Sequence, residues 1–331
     1  KIKKYKGVHI KTAIKINKKG LAAMTSSMFA TLKAVFCHYD VIHYHAEGPC
    51  VMLWIPHLFG IPTVATIHGL DWQRAKWGGF AAKYLKFGEK IAARYADKII
   101  VLSENVRRYF VDTYSCEIKS KVKFIPNGIG KPEVVKALLI KNRFDLKKDD
   151  YVLFLGRIVP EKGLHYLIDA YKNVKTLKKL VIAGGSSHTD DYMSQIKEMA
   201  KSDKRVVFTD FIQGQELQEL YSNAYIYVFP SDLEGMPISL LEAMSYGNCC
   251  LVSDIAENTE VVEGKAVWFK QGNVKDLRTK LEWLIENHDV VEGYRKNAAE
   301  YICNKYNWDD VVKETVELYN MRNNLKANCL D

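Results

Sequence analysis

Short unbroken apolar runs recur along this chain, each followed by a stretch with helical spacing. In the second half the runs are YVLFL (151–155), LVIAGG (180–185), VVFTDF (206–211), YIYVFPS (225–231), CCLVS (249–253) and AVWF (266–269), and they begin 17 to 29 residues apart. A strand that is apolar at every position must be covered on both faces. A gap of that length fits a crossover helix, so the rhythm predicts parallel strands in a doubly wound α/β sheet. Helices are expected at GLHYLIDAYKNV, DDYMSQIKEMAKS, GQELQELYSNA, PISLLEAMSYG and VKDLRTKLEWLIENH.

The first half repeats the pattern more loosely. Strands are expected at VHIKTAIKI, DVIHYH, TVATIH, KIIVLS and VKFIPNG, and helices at LAAMTSSMFATLKAVF, FAAKYLKFGEKIAARYA and SENVRRYFVDTY. The stretch 137–150 reads as a connector, and YNWDDVVKETVELYNM as a final amphipathic helix. The expected architecture is therefore two Rossmann-like doubly wound domains, residues 1–136 and 137–306, facing across a cleft, with a helix at 307–325 crossing back to the first. In such sheets ligands bind outside the carboxyl ends of the strands, so polar residues in the loops after strands carry the most weight.

Composition narrows the class. The chain has 331 residues, 48% apolar and 26% charged, which suits two globular domains. No run approaches the roughly 18 apolar residues of a membrane span; CVMLWIPHLFGIP (50–62) is short and carries His57. The seven cysteines, at 37, 50, 116, 249, 250, 303 and 329, form no C-x-x-C pair. They read as reduced thiols of a cytoplasmic protein, with neither a disulfide framework nor a zinc site. Charge is uneven. Residues 1–150 hold 27 Lys+Arg against 12 Asp+Glu, or +15, and the remainder 21 against 27, or −6. A basic half suggests an anionic neighbour, either nucleic acid or an anionic membrane surface, or else a solvated lysine face. Aromatic residues are not interleaved with the basic run, which argues against nucleic acid.

Three constellations carry chemistry. In FLGRIVPEKGL, Gly156, Arg157 and Lys162 follow a strand and precede a helix, and two cations at a helix start suit a diphosphate. In PSDLEGMPISLLEAMSYG, Glu234 and Glu242 bracket Gly235, Met236 and Pro237, with Pro237 as the expected first helical residue. The free amides there would be those of Ile238 and Ser239. Glu242 lies about 7.5 Å along the axis from Pro237. That spacing fits a nucleotide sugar, with sugar hydroxyls at Glu234, phosphates at the helix start and ribose hydroxyls at Glu242. In TIHGLDW, His68 closes a strand, and Asp71 and Trp72 follow with Arg74, Lys76 and Trp77. His43 and His45 share one strand face, but no third metal ligand lies near, and no metal is expected. His45 and Glu47 are expected to line the cleft, and Asn127-Gly128 to turn beside it.

With these residues in view, the chain resembles the two-Rossmann-domain (GT-B) glycosyltransferases, more narrowly the retaining family 4 transferases of bacterial capsule and lipopolysaccharide pathways. The motifs are Glu234-x7-Glu242, GRIVPEKG, IPNGI, HYHAEGP and TIHGLDWQRAKWG. The resemblance spans nearly the whole chain and implies a metal-independent hexosyl transfer from a UDP- or GDP-sugar to a glycan or lipid-diphosphate-linked acceptor, with no cofactor. It implies that Arg157 and Lys162 hold the donor diphosphate, that Glu234 touches the donor sugar, that Glu242 holds the ribose and that His68 reaches the sugar from the first domain. Phe211 and Ile212 fall at the base, and His45, Glu47, Asp71 and Asn127 on the acceptor side. It also implies peripheral association of the basic half with the inner face of the plasma membrane. Family members open with a strand and a glycine-rich loop, so roughly fifty residues, one and a half βα units, are expected ahead of Lys1, and donor binding with impaired transfer would follow. A glycoside hydrolase would not need the cations. A nucleotide-sugar epimerase and a non-catalytic nucleotide-sugar-binding protein remain as alternatives.

Overall fold

The computed structural model describes residues 3–18, 21–74, 77–187 and 189–320. Lys76, Cys329 and positions 321–325 of the expected last helix lie outside the described residues. The chain forms two compact units. One holds residues up to Pro126 together with those from Val312 onward, and the other is Asn127–Val311.

The first unit has a four-stranded parallel sheet in sequential order, β3 (Ile42–His45), β4 (Thr63–Ile67), β5 (Lys98–Val101) and β6 (Val122–Phe124). Its core includes Ile67, Ile99, Val101 and Phe110, packed under the helix Gly79–Tyr95. The expected strand over VHIKTAIKI is a different object. Only β2 (Val8–His9) forms, paired antiparallel with β1 (Lys4–Tyr5) in an exposed hairpin outside the sheet. Alternating lysines leave that segment without two apolar faces, so it cannot be an interior parallel strand.

The second unit carries β7 (Tyr151–Leu155), β8 (Lys179–Ala183), β9 (Val206–Asp210), β10 (Ile226–Phe229), β11 (Cys249–Ser253) and β12 (Val267–Phe269). All pairs are parallel and the order is β12-β11-β10-β7-β8-β9. Chain direction across the sheet reverses between β7 and β10, which is the switch point where open α/β sheets bind ligands. Every residue of β10 and β11 is buried, Cys249 and Cys250 included. Helices Ala256–Val262 and His288–Lys305 were not anticipated.

The second unit begins at Asn127, ahead of the expected boundary at 137. Hydrogen bonds explain the difference. Val135 N donates to Ser222 Oγ at 3.1 Å, and Leu138 N and Ile140 N both donate to the buried carboxylate of Glu219. The expected connector is thus bound to helix Gln215–Asn223. The last helix, Trp308–Tyr319, starts in the second unit and ends in the first. There Glu314 pairs with Lys123 at 3.2 Å. Among the described residues no helix is long and apolar enough to cross a membrane.

Two glycines let backbone meet backbone at the carboxyl ends of the second sheet. Gly163 has φ +63°, and a Cβ there would lie 1.9 Å from Pro230 O. Gly184 has φ +142°, and its Cβ would lie 1.8 Å from Gly156 O. Gly163→Ala is therefore expected to cost well over about 1 kcal/mol, because it combines a strained φ with a backbone clash. Urea unfolding of the two proteins measures this, and an unchanged midpoint would contradict the packing.

Candidate functional site

The loops after β7 and β10 meet at the switch point. Asp232 N donates to Glu161 O at 2.9 Å, and Lys162 Nζ pairs with Glu234 Oε1 at 2.7 Å. Lys162 and Glu234 are 8% and 7% exposed, and Lys162 Nζ lies 4.7 Å from the centre of the Phe229 ring. Glu234, expected to meet sugar hydroxyls, is already engaged, since burial of Lys162 requires a counter-charge and Glu234 supplies it. Lys162 sits in a 3-10 turn, Pro160–Lys162, one residue before the helix that begins at Leu164. Arg157 differs from it, being exposed, with a guanidinium that has no hydrogen bond or ion pair among the described residues, while its carbonyl accepts from Val159 N at 3.1 Å.

Beside Arg157 the carboxyl ends of β7, β8 and β9 enclose a cavity of about 600 Å³. It is lined by Gly156, Arg157, Gly184–Ser187 and Phe211–Gln213, with Leu217 at one side. Ile212 is buried and Phe211 is 73% exposed. The floor is held by Gly156 N to Ala183 O at 3.0 Å and Ile158 N to Gly185 O at 2.9 Å. Gly156, Arg157 and Ile212 come together here, whereas Glu234 and Glu242 do not line this cavity.

The helix after β10 starts at Ile238, and Pro237 caps it with φ −80° and ψ 84° in place of being its first turn. Ile238 N is not a free donor as expected, because it bonds Met236 O at 3.0 Å. Gly235 and Met236 are buried, and Ser239 is half-buried. Glu242 is half-buried, and its Oε2 accepts from Tyr221 OH at 2.9 Å. Burial raises the Glu242 carboxyl above the usual range, and the Tyr221 phenol works against that rise. Asn127, expected on the acceptor side, belongs to this unit, with its N–H 2.9 Å from Met236 Sδ. Gly128 beside it is covered by the Trp308 ring.

In the first unit the ends of β3 and β4 bring three histidines together. His43 stacks on His45 with centroids 4.3 Å apart, and His45 Nδ1 lies 3.1 Å from His68 Nε2. Burial holds His43 down at about 4 and also lowers His68, with His45 adding to the lowering and Asp71 opposing it. No group of three or more His, Cys, Asp or Glu among the described residues is arranged to hold a metal ion. Glu47, expected to line the cleft, is fully buried, its Oε1 accepts from Asp71 N at 3.0 Å, and its Oε2 has no hydrogen-bond partner among the described residues. Burial and the nearby Asp71 push its carboxyl up to about 8. Asp71 pairs with Arg74 at 2.6 Å. Trp72 Nε1 donates to buried Glu89 at 2.8 Å, so this loop is anchored from below.

Sequence reasoning did not anticipate Tyr221 as the partner of Glu242, Phe229 beneath Lys162, Ser186 and Ser187 in the cavity wall, or Glu89 under Trp72. The glycine pair after β8 was the available signal for the cavity wall. The others come from residues far apart in the chain.

The family model of group 1 glycosyl transferases matches residues 136–305, and that of glycosyltransferase family 4 matches residues 5–130. An uncharacterized glycosyltransferase of Methanocaldococcus jannaschii is 29% identical over 303 residues, covering 85% of this chain and 75% of that protein. The Escherichia coli UDP-Gal:alpha-D-GlcNAc-diphosphoundecaprenol alpha-1,3-galactosyltransferase is 26% identical over 300 residues, with coverage of 85% and 75%. Among solved structures, Anabaena HepE in complex with UDP and glucose matches with TM-score 0.75 at 18% identity, covering 86% of this chain and 80% of that one. Sucrose-phosphate synthase from Thermosynechococcus elongatus matches with TM-score 0.79 at 20% identity, covering 94% and 81%. These likenesses show a GT-B fold.

Two outcomes follow from the geometry. Glu234→Ala leaves Lys162 buried without its counter-charge, and a loss of about 3–5 kcal/mol is expected in urea unfolding. The second concerns pH. A carboxyl raised to about 8 contributes stability that is present below its ordinary 4.5 and lost as pH rises through about 8. His43, lowered to about 4, contributes stability present above 6.5 and lost as pH falls toward 4. As pH rises from 6.5 to about 8 His43 becomes neutral in the unfolded chain as it already is in the folded one, so Glu47 is increasingly the one of these two that titrates on folding. The wild-type unfolding midpoint should fall across that window, and Glu47→Gln should flatten the fall. Parallel slopes would show that Glu47 is not the group responsible.

Proposed function

This chain belongs to the group 1 glycosyltransferases, and from that premise we propose that it moves a hexose from a UDP- or GDP-sugar to a hydroxyl of a glycan or lipid-diphosphate-linked acceptor, with retention of configuration, in surface polysaccharide synthesis. The observation that carries the reading is the switch-point site, where exposed Arg157 stands at a cavity rimmed by the glycines of two strand ends. Backbone without side chains at Gly156, Gly184 and Gly185 lets a ligand approach closely. Because Glu234 offsets Lys162, Arg157 is the unneutralised charge there, suited to a bidentate grip on a diphosphate.

In this reading Arg157 stabilises the charge that builds on the departing diphosphate, with Lys162 beside it held by Glu234, the electrostatic work a divalent cation does in metal-dependent transferases. Glu234 and the Gly235–Met236 turn meet the donor sugar, with Ser239 donating its amide at the helix start. Glu242, polarised by Tyr221, holds the ribose hydroxyls, and Ile212 with Phe211 takes the base. His68 is the first unit's contact for the donor sugar, and His45, Asp71 and Asn127 are assigned to the acceptor. The E. coli relative's named acceptor is diphosphoundecaprenol-linked, and a Salmonella typhimurium relative is named an O-antigen chain mannosyltransferase, which supports a lipid-linked acceptor and a surface glycan. The +15 of residues 1–150 fits a cytoplasmic protein held at an anionic membrane surface.

A thermal-shift panel of nucleotide diphosphate sugars tests the donor. One member at a hundredfold over its Kd should stabilise by about 2.7 kcal/mol, and Arg157→Ala should abolish the shift without lowering the baseline. No shift with any member would overturn the reading. For the membrane, co-sedimentation with vesicles should require anionic lipid and weaken with salt. Binding indifferent to both would refute it.

A further inference from the structure

Two neighbouring strands end with imidazoles in contact. His45 is the last residue of β3 and pairs in register with Thr66 of β4, and His68 follows β4 directly. Their rings lie 5.4 Å apart at 29°, with His45 Nδ1 3.1 Å from His68 Nε2. A hydrogen bond between two neutral imidazoles holds one proton, so the tautomers are tied. If His45 donates, His68 accepts at Nε2 and carries its own proton on Nδ1. If His68 donates, its Nδ1 is the lone-pair nitrogen. That Nδ1 has no partner among the described residues and is the nitrogen left for a ligand.

His45 is itself held. One face stacks on His43 at 26°, and His43 is fixed at both nitrogens, Nδ1 to Tyr319 OH at 2.6 Å and Nε2 to Thr66 Oγ1 at 2.7 Å. The backbone just beyond is turned sharply, Ala46 having φ 68° while its N–H bonds Thr66 O at 2.8 Å. A non-glycine residue in that region persists only when its surroundings hold it there. The other ionisable groups at this end of the sheet are Asp71, paired with Arg74, and buried Glu47.

We propose that His45 is a positioning residue that donates through Nδ1 to His68 Nε2 and so fixes the ring and tautomer of His68, which meets the donor through Nδ1 in one protonation state. The proposal rests on the reading that His68 contacts the donor sugar. His45→Phe keeps a ring against His43 but lacks Nδ1, and His45→Asn keeps a hydrogen-bonding atom near the Nδ1 position.

The test uses the full chain with the donor found by thermal shift, steady-state kinetics against pH, and nitrogen-15 tautomer spectra of His68. His45→Phe should lower kcat about tenfold or more with donor KM within about twofold. The acid limb of kcat should move to higher pH, since a neighbour that disfavours the imidazolium of His68 is gone. A second His68 tautomer should appear, and His45→Asn should recover most of the loss. An unchanged His68 spectrum in His45→Phe overturns the proposal whatever the activity, as does an Asn variant no better than Phe. His68→Ala separates the two claims. Full activity in His68→Ala defeats the donor-contact reading, whereas an inactive His68→Ala beside a normal His45→Phe defeats the positioning role alone.

Discussion

The buried pair of Lys162 and Glu234 is the interaction on which the second unit's site depends. A lysine 8% exposed needs a counter-charge, and Glu234 in the loop after β10 supplies one. Their 2.7 Å contact ties the two loops that flank the switch point, and the Gly163–Pro230 approach closes the same seam through the backbone. The cavity beside Arg157 owes its shape to the same economy of side chains, with Gly184 packed on Gly156.

The first unit solves a different problem. Its loops after β3 and β4 are anchored by carboxylates from below, Glu47 on Asp71 N and Glu89 on Trp72 Nε1. Both carboxylates are fully buried, yet their surroundings differ. Glu89 also receives Lys86 and the phenols of Tyr109 and Tyr114, while Glu47 has one oxygen with no partner and is held toward its neutral form. The final helix reaches the histidines through Tyr319, which bonds His43.

Much of the second unit was legible from sequence. Its six strands fall where the apolar runs stand, since a strand covered on both faces has to be apolar at every position. The helix His288–Lys305 escaped notice because its buried positions, Val291, Ala298 and Ile302, are sparse among charged residues. VHIKTAIKI misled because its alternation looks like a half-buried strand, while every described position of β1 and β2 is exposed. Gly156 and Arg157, singled out by the rule that ligands gather at strand ends, line one cavity with Ile212, which only the family resemblance points to.

What sequence alone determined is the layering and the residue types at strand ends, because burial imposes apolar runs and close approach imposes glycine. What only tertiary structure decided is which polar groups are spent on each other. Lys162 and Glu234 are 72 positions apart, Tyr221 and Glu242 are 21, and His45 and His68 are 23. Read singly, each looks free to hold a ligand. Neighbouring strand ends bring the first and third pairs within hydrogen-bond distance and two helices bring the second, and burying a polar group unpaired is costly.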